Sequence, residues 1–126
     1  MDKTTIGFIG LGNMGAPMAA NIVAAGHDVC AFDIAGTESR APAGVHIANS
    51  VEGIATACEI LLLSLPDGKA VTEVAKKITS APQRTTCAVV DHSTVGVETA
   101  QTVHRLLATA GISYLDAPVS GGTSGA

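Results

Sequence analysis

Short runs of β-forming residues alternate with longer, alanine-rich stretches along this whole chain, and that alternation admits few architectures. Thr4 to Ile9 predicts a strand, closed by Gly10. Met14 to Ala25 predicts a helix, ended by Gly26 and with Pro17 in its first turn, where a missing N–H costs little. Asp28 to Phe32 predicts a second strand. Gly36 to Gly44 reads as loop with room for one helical turn, and Val45 to Ala48 as a short third strand. Ser50 caps a helix that ends near Cys58. Ile60 to Ser64 is almost wholly apolar, as a strand buried on both faces of a parallel sheet must be. After the turn Leu65 to Gly68 come a helix over Lys69 to Ile78 and a strand over Thr86 to Val90. A helix over Val97 to Ala110, ended by Gly111, and a strand over Ile112 to Leu115 complete the series. Six strands interleaved with helices spell an open, doubly wound parallel α/β sheet.

Composition narrows the function. The length of 126 residues suits one domain, and the 47% apolar content argues for a packed core over disorder. A net charge of −4 without clustered Lys or Arg argues against a nucleic-acid partner. The aromatic residues are Phe8, Phe32 and Tyr114, too few for base-stacking platforms. No apolar run approaches the roughly 18 residues of a membrane span, and no leader peptide is visible. Cys30, Cys58 and Cys87 are odd in number and set among apolar neighbours. They read as reduced core residues of a cytoplasmic protein.

Gly10-Leu11-Gly12-Asn13-Met14-Gly15 fits G-x-G-x-x-G, and its context sharpens it: a predicted strand precedes it and a predicted helix follows. In a Rossmann-type sheet each glycine then has a physical task. Gly10 permits the tight turn, Gly12 lets the backbone approach a pyrophosphate, and Gly15 lets helix and strand pack closely. The helix start directs N–H groups at the phosphate. Asp33, at the end of the second strand, is placed to accept hydrogen bonds from the adenosine ribose hydroxyls and to repel a 2′-phosphate. The nearest basic residue beyond it is Arg40, so the pattern favours NAD over NADP. A tight turn without ligand, and a helix-capping or solvated acid, are the plainer alternatives for the same residues.

Ligands of such sheets bind beyond the carboxyl ends of the strands. Leu65 and Pro66 fall there and suit a cofactor wall, or a plain turn. Thr94 suits a hydrogen bond to the nicotinamide side, or the cap of the helix beginning near Val95. His92 is the one histidine of four at a ligand-side strand end. A structural role held by its neighbours is favoured over acid–base chemistry. Ser120-Gly121-Gly122 offers N–H groups and a hydroxyl to a small carboxylate, or is a flexible loop. No residues show metal-ligand spacing.

The run Phe8 to Asn21, with Met14 and Met18 around the glycines, resembles the N-terminal signature of the β-hydroxyacid dehydrogenases. Leu63-Ser64-Leu65-Pro66-Asp67, Val90-Asp91-His92-Ser93-Thr94-Val95 and Asp116-Ala117-Pro118-Val119-Ser120-Gly121-Gly122 resemble three further motifs of that family, in the right order. The run after Pro118 is closer to the 3-hydroxyisobutyrate branch than to the 6-phosphogluconate branch. The resemblance implies NAD(P)-dependent oxidation of a 3-hydroxy acid, or reduction of its semialdehyde. It assigns the pyrophosphate to Gly10 through Gly15, including Leu11, Asn13 and Met14, and the ribose to Asp33. Leu65 and Pro66 become the cofactor wall, and Thr94 takes the nicotinamide half. Ser120, Gly121 and Gly122 bind the substrate carboxylate or hydroxyl. The family's acid–base lysine lies in a helix beyond this point, and a helical second domain completes the site and joins subunits into homo-oligomers. Lys3, Lys69, Lys76 and Lys77 all precede the substrate motif. Residues 1–126 are thus expected to form a shortened dinucleotide-binding domain without its helical partner, able to bind cofactor and not to turn over. A catalytically silent dinucleotide-binding module and another Rossmann enzyme, such as a methyltransferase, are the competing readings.

Overall fold

The computed structural model describes residues 5–119. Six parallel strands form one sheet: β1 (Thr5–Ile9), β2 (Asp28–Phe32), β3 (His46–Ile47), β4 (Ile60–Leu63), β5 (Ala88–Asp91) and β6 (Ser113–Asp116). Their order across the sheet is β3-β2-β1-β4-β5-β6. The helices are α1 (Gly15–Ala24), the single turn α2 (Thr37–Arg40), α3 (Val51–Ala57), α4 (Gly68–Ser80) and α5 (Gly96–Ala108). This is the doubly wound order in which the chain returns to the sheet centre after β3 and builds outwards the other way. Among the described residues no helix is long and apolar enough to cross a membrane.

Pleating sorts the side chains between two cores. On one face Phe8, Val29 and Ala31 pack with Ala19 of α1 and with Leu11. On the other, Ile9, Leu61, Leu63 and Val89 pack beneath α3, α4 and α5, which supply Ile54, Val71, Ile78 and Leu107. The central strand β1 is buried on both faces at Gly7, Phe8 and Ile9, as a near-continuous apolar strand of a parallel sheet should be. The α1 face is covered only in part. One row of register partners runs from Phe8 through Leu62 and Val90 to Leu115, and Leu115 is 60% exposed.

Element ends shift by one or two residues where a side chain or helix terminus claims the backbone. Strand β5 begins at Ala88, not Thr86, because the Thr86 hydroxyl donates to the carbonyls of Ala55 and Cys58 at the end of α3. Strand β6 begins at Ser113, not Ile112, because the Ile112 N–H donates to the Leu107 carbonyl and closes the end of α5. Strand β3 shrinks to two exposed residues at the sheet edge. Helix α4 gains Gly68 at its start, where Asp67 caps it through the Ala70 N–H, and runs two residues further to Ser80.

The cysteines do not share one environment. Cys58 is buried, Cys30 half-buried, and Cys87 exposed, against the expectation of three core thiols. Cys87 sits one residue before β5, where its thiol reaches the Glu59 carbonyl at the surface. Burial, reinforced by the neighbouring Cys30, pushes the Cys58 thiol from the ordinary 9.0 up to about 12. The thiol stays neutral in the fold while the unfolded chain ionises above 9.0, so stability should fall between pH 9.0 and about 12. The slope is at most about 1.4 kcal/mol per pH unit from this group. Tyr114, raised by burial and by Asp91, adds to the loss at the alkaline end. Denaturant melts across that range should show the decline, and Cys58→Ala should make it shallower; an unchanged slope would remove Cys58 as its source.

Candidate functional site

The strand order places a crevice at the carboxyl edge of the sheet, between the first segments to leave β1 and β4. Main-chain hydrogen bonds carry the ladder past the strand ends. Gly10 donates to Phe32 at 3.0 Å, and Ser64 to Ile9 at 2.9 Å. Gly10 to Gly15, Asp33 and Ser64 to Asp67 therefore emerge side by side around a cavity of about 610 Å³.

The glycine loop has a distinct constraint at each of its three glycines. Gly10 has φ +102°, and a Cβ there would run into the Ser64 carbonyl. A Cβ on Gly15 would run into the Gly10 carbonyl and approach the Phe8 ring at 3.2 Å. A Cβ on Gly12 would meet nothing within 4 Å. Gly12 lines the cavity, so its bare backbone opens onto space that a ligand can fill. The start of α1 adjoins it, with no side-chain cap at Met14, whereas Ser50 caps α3 and Asp67 caps α4. An uncapped helix start leaves N–H donors and the positive end of the dipole for an anion.

Asp33 is fixed by the loops it joins. Its Oδ2 accepts from the Leu11 N–H at 2.7 Å and its Oδ1 from the Ala35 N–H at 2.8 Å. Its own N–H donates to the Thr37 Oγ1 at 2.9 Å. Each carboxylate oxygen keeps a further lone pair, so the group can still receive a pair of hydroxyls. It does not cap α2, whose N-cap is Gly36 without a side-chain bond. The Leu11 side chain is in the core, and only its main chain serves the loop.

The far wall is Leu65 and Pro66, and a buried network holds it. The Ser93 Oγ accepts from the Leu65 N–H at 2.8 Å, and the Ser93 N–H donates to the Asp91 Oδ1 at 2.9 Å. Asp91, fully buried, takes its other bond from the Tyr114 hydroxyl at 2.6 Å. Sequence reading missed this network because its members are brought together across β4, β5 and β6.

Eight of the ten positions expected to hold a cofactor line the cavity: Gly10, Gly12, Asn13, Met14, Gly15, Asp33, Leu65 and Pro66. Leu11 backs it. Thr94 is exposed outside it and does not cap α5, whose N-cap Val95 has no side-chain bond. The Nδ1 of His92 lies 2.8 Å from the Ala117 carbonyl, the structural role expected of it. Ser120, Gly121 and Gly122 lie outside the described residues.

The cavity also has walls that the sequence did not place there. Ile34, 85% exposed, and Ala35 flank Asp33. Arg40 reaches the cavity from α2, and Lys69, Glu73 and Lys77 line it from one face of α4. The i, i+4, i+8 spacing of those three was the available signal. With Asp33 and Asp67 the lining carries both signs of charge, which suits a ligand with phosphates at one point and sugar hydroxyls at another.

Known proteins resemble this chain in sequence and fold. A family model described as the NAD binding domain of 6-phosphogluconate dehydrogenase matches residues 5–126. A Mycobacterium tuberculosis protein named probable 3-hydroxyisobutyrate dehydrogenase is 42% identical over 125 residues, covering 98% of this chain and 42% of that one. The 3-hydroxyisobutyrate dehydrogenase of Pseudomonas aeruginosa is 36% identical over 132 residues, covering 98% and 43%. The solved Mycobacterium tuberculosis 3-hydroxyisobutyrate dehydrogenase with L-serine superposes with a TM-score of 0.85 at 38% identity, covering 98% of this chain and 43% of that one. Two solved structures of imine reductase from Myxococcus stipitatus, a variant with NAD+ and one with NADP+, share the fold alone, with TM-scores of 0.85 and 0.82 at 21% and 19% identity. The chain spans about two-fifths of the length of these relatives.

Proposed function

Because the chain belongs to the NAD-binding domain family of 6-phosphogluconate dehydrogenase and the other β-hydroxyacid dehydrogenases, we propose that it is the cofactor-binding part of an NAD-dependent 3-hydroxyacid dehydrogenase. The observation that carries the reading is the open space at Gly12, in a cavity shared with Asp33. The N–H groups from Gly12 to Gly15 receive the pyrophosphate, and Asp33 receives the adenosine ribose. Leu65 and Pro66 close one side of the cofactor, Ile34 another. Thr94 takes the nicotinamide half, and Ser120, Gly121 and Gly122 hold the carboxylate or hydroxyl of a 3-hydroxyisobutyrate-like acid. Bound NAD+ supplies the hydride acceptor.

The substrate hydroxyl must lose its proton as the hydride leaves, and a positioned base contributes about 10²–10⁴-fold to such a step. Among the described lysines, Lys69 and Lys77 line the cofactor cavity and Lys76 lies on the same helix, all before the substrate motif. The resemblance to the β-hydroxyacid dehydrogenases assigns the base to a lysine of a following helical domain. The exposed Leu115 at the end of its apolar row is surface that such a domain would cover. Residues 1–126 alone then bind cofactor without turnover.

Titration calorimetry tests the reading. NAD should bind the chain, NADP more weakly, and S-adenosylmethionine not at all. Binding of S-adenosylmethionine alone, or of none of the three at millimolar concentration, would overturn it.

The preference for NAD rests on the charge of Asp33, opposed by Arg40 across the same cavity. Asp33→Asn keeps an oxygen for the Leu11 N–H and removes the charge that repels a 2′-phosphate. The ratio of NAD to NADP affinity should fall about tenfold, or about 1.4 kcal/mol. A ratio that does not move would take Asp33 out of cofactor discrimination.

A further inference from the structure

Cys30 and Cys58 are far apart in sequence yet neighbours in the fold, and both border Gly7. In the sheet, Cys30 of β2 and Leu61 of β4 are the register partners of Gly7 on either side. Parallel register partners project to the same face, so a row runs Leu61, Gly7, Cys30, with a gap where Gly7 lacks a side chain. The Ile54 and Leu61 side chains fill that gap, and Cys58, at the end of α3, borders it. A Cβ built on Gly7 would stand 3.4 Å from the Cys58 Cβ. Cys30 packs against the same core cluster that contains Cys58. The next position in the row is His46, on the exposed two-residue strand β3. The row thus ends at an open sheet edge, which explains why Cys30 is half-buried while Cys58 is fully enclosed.

We propose that Cys30 and Cys58 form a thiol pair that closes to an intramolecular disulfide beside Gly7 when the chain meets a small-molecule disulfide such as oxidised glutathione. Nothing in the cofactor reading requires this pair, and no other role in the molecule uses it. The order of events follows from access. The Cys30 thiolate attacks one sulfur of glutathione disulfide from the β3 edge; that S–S bond breaks and one glutathione leaves as thiolate. The Cys58 sulfur, giving its proton to the solvent, then attacks the Cys30 sulfur and expels the second glutathione. The two cysteines are oxidised by two electrons in all, and glutathione disulfide is reduced to two thiols. Cys58 does not attack first. It is enclosed, and its thiol, pushed up to about 12, keeps its proton at neutral pH.

The test uses the chain reduced, then incubated with glutathione disulfide under native conditions, blocked with iodoacetamide and mapped by mass spectrometry without reduction. The expected product is a Cys30 peptide joined to a Cys58 peptide, lighter than the two thiol peptides by two hydrogens. Exposed Cys87 should carry glutathione or the blocking group. In Cys30→Ser the cross-link should vanish and Cys58 should remain a free thiol. Cys30 held as a glutathione adduct beside a free Cys58, or Cys30 joined to Cys87, would overturn the proposal. Glutathionylation of Cys58 in Cys30→Ser as fast as that of Cys30 in the unaltered chain would overturn the order of attack.

Discussion

Gly12→Val should abolish NAD binding and leave the fold standing. A Cβ at Gly12 has nothing within 4 Å, so the side chain starts into open space and not into the protein. It enters the cavity beside the uncapped start of α1, where the phosphates need to come within hydrogen-bond distance of the main chain. Each hydrogen bond to a charged group is worth about 1.5–3 kcal/mol, so losing two weakens binding by roughly 10²- to 10⁴-fold. Calorimetry with NAD reads the loss. A thermal melt within a few degrees of the unaltered chain separates it from unfolding. Retained affinity would mean that the loop is a turn and not a phosphate site.

Gly15→Val should do the reverse, acting on the fold before any ligand is present. Its Cβ would collide with the Gly10 carbonyl, which is backbone and cannot swing aside, and press on the ring of Phe8 in the α1 core. Overpacking of this kind costs about 3 kcal/mol or more. Against a usual total of about 5–15 kcal/mol, that is a large share. For a chain of this size it lowers the melting temperature by roughly 10 °C, which circular dichroism measures directly. A melt unchanged by the substitution would show that α1 and β1 do not need to approach so closely. The two glycines sit three residues apart in one motif, yet one substitution should remove the ligand and the other the domain.

Much of this was legible in the residues. The apolar runs at Ile6 to Ile9 and Ile60 to Leu63 mark central strands, because a strand buried on both faces has no polar positions to alternate. Ser50 marks the start of α3, because a hydroxyl before a helical run has a backbone N–H to satisfy. What was not legible depended on groups distant in sequence. The capture of Leu65 by Ser93, and of Asp91 by Tyr114, spans β4 to β6. The shortening of β3 reflects its place at the edge, where one neighbour alone supplies hydrogen bonds.

Local spacing by itself settled the alternation of strands and helices, the glycine turn, and an acid at the end of the second strand, since each is a matter of periodicity and backbone freedom within a few residues. Only the tertiary structure decided that Gly12 faces open space while Gly15 faces a carbonyl, that Arg40 and Lys77 share a cavity with Asp33, and that Cys58 neighbours Cys30. Those outcomes depend on which strand lies next to which and on which face each helix covers, and neighbourhood in a parallel sheet is set by crossovers that short-range pattern does not record.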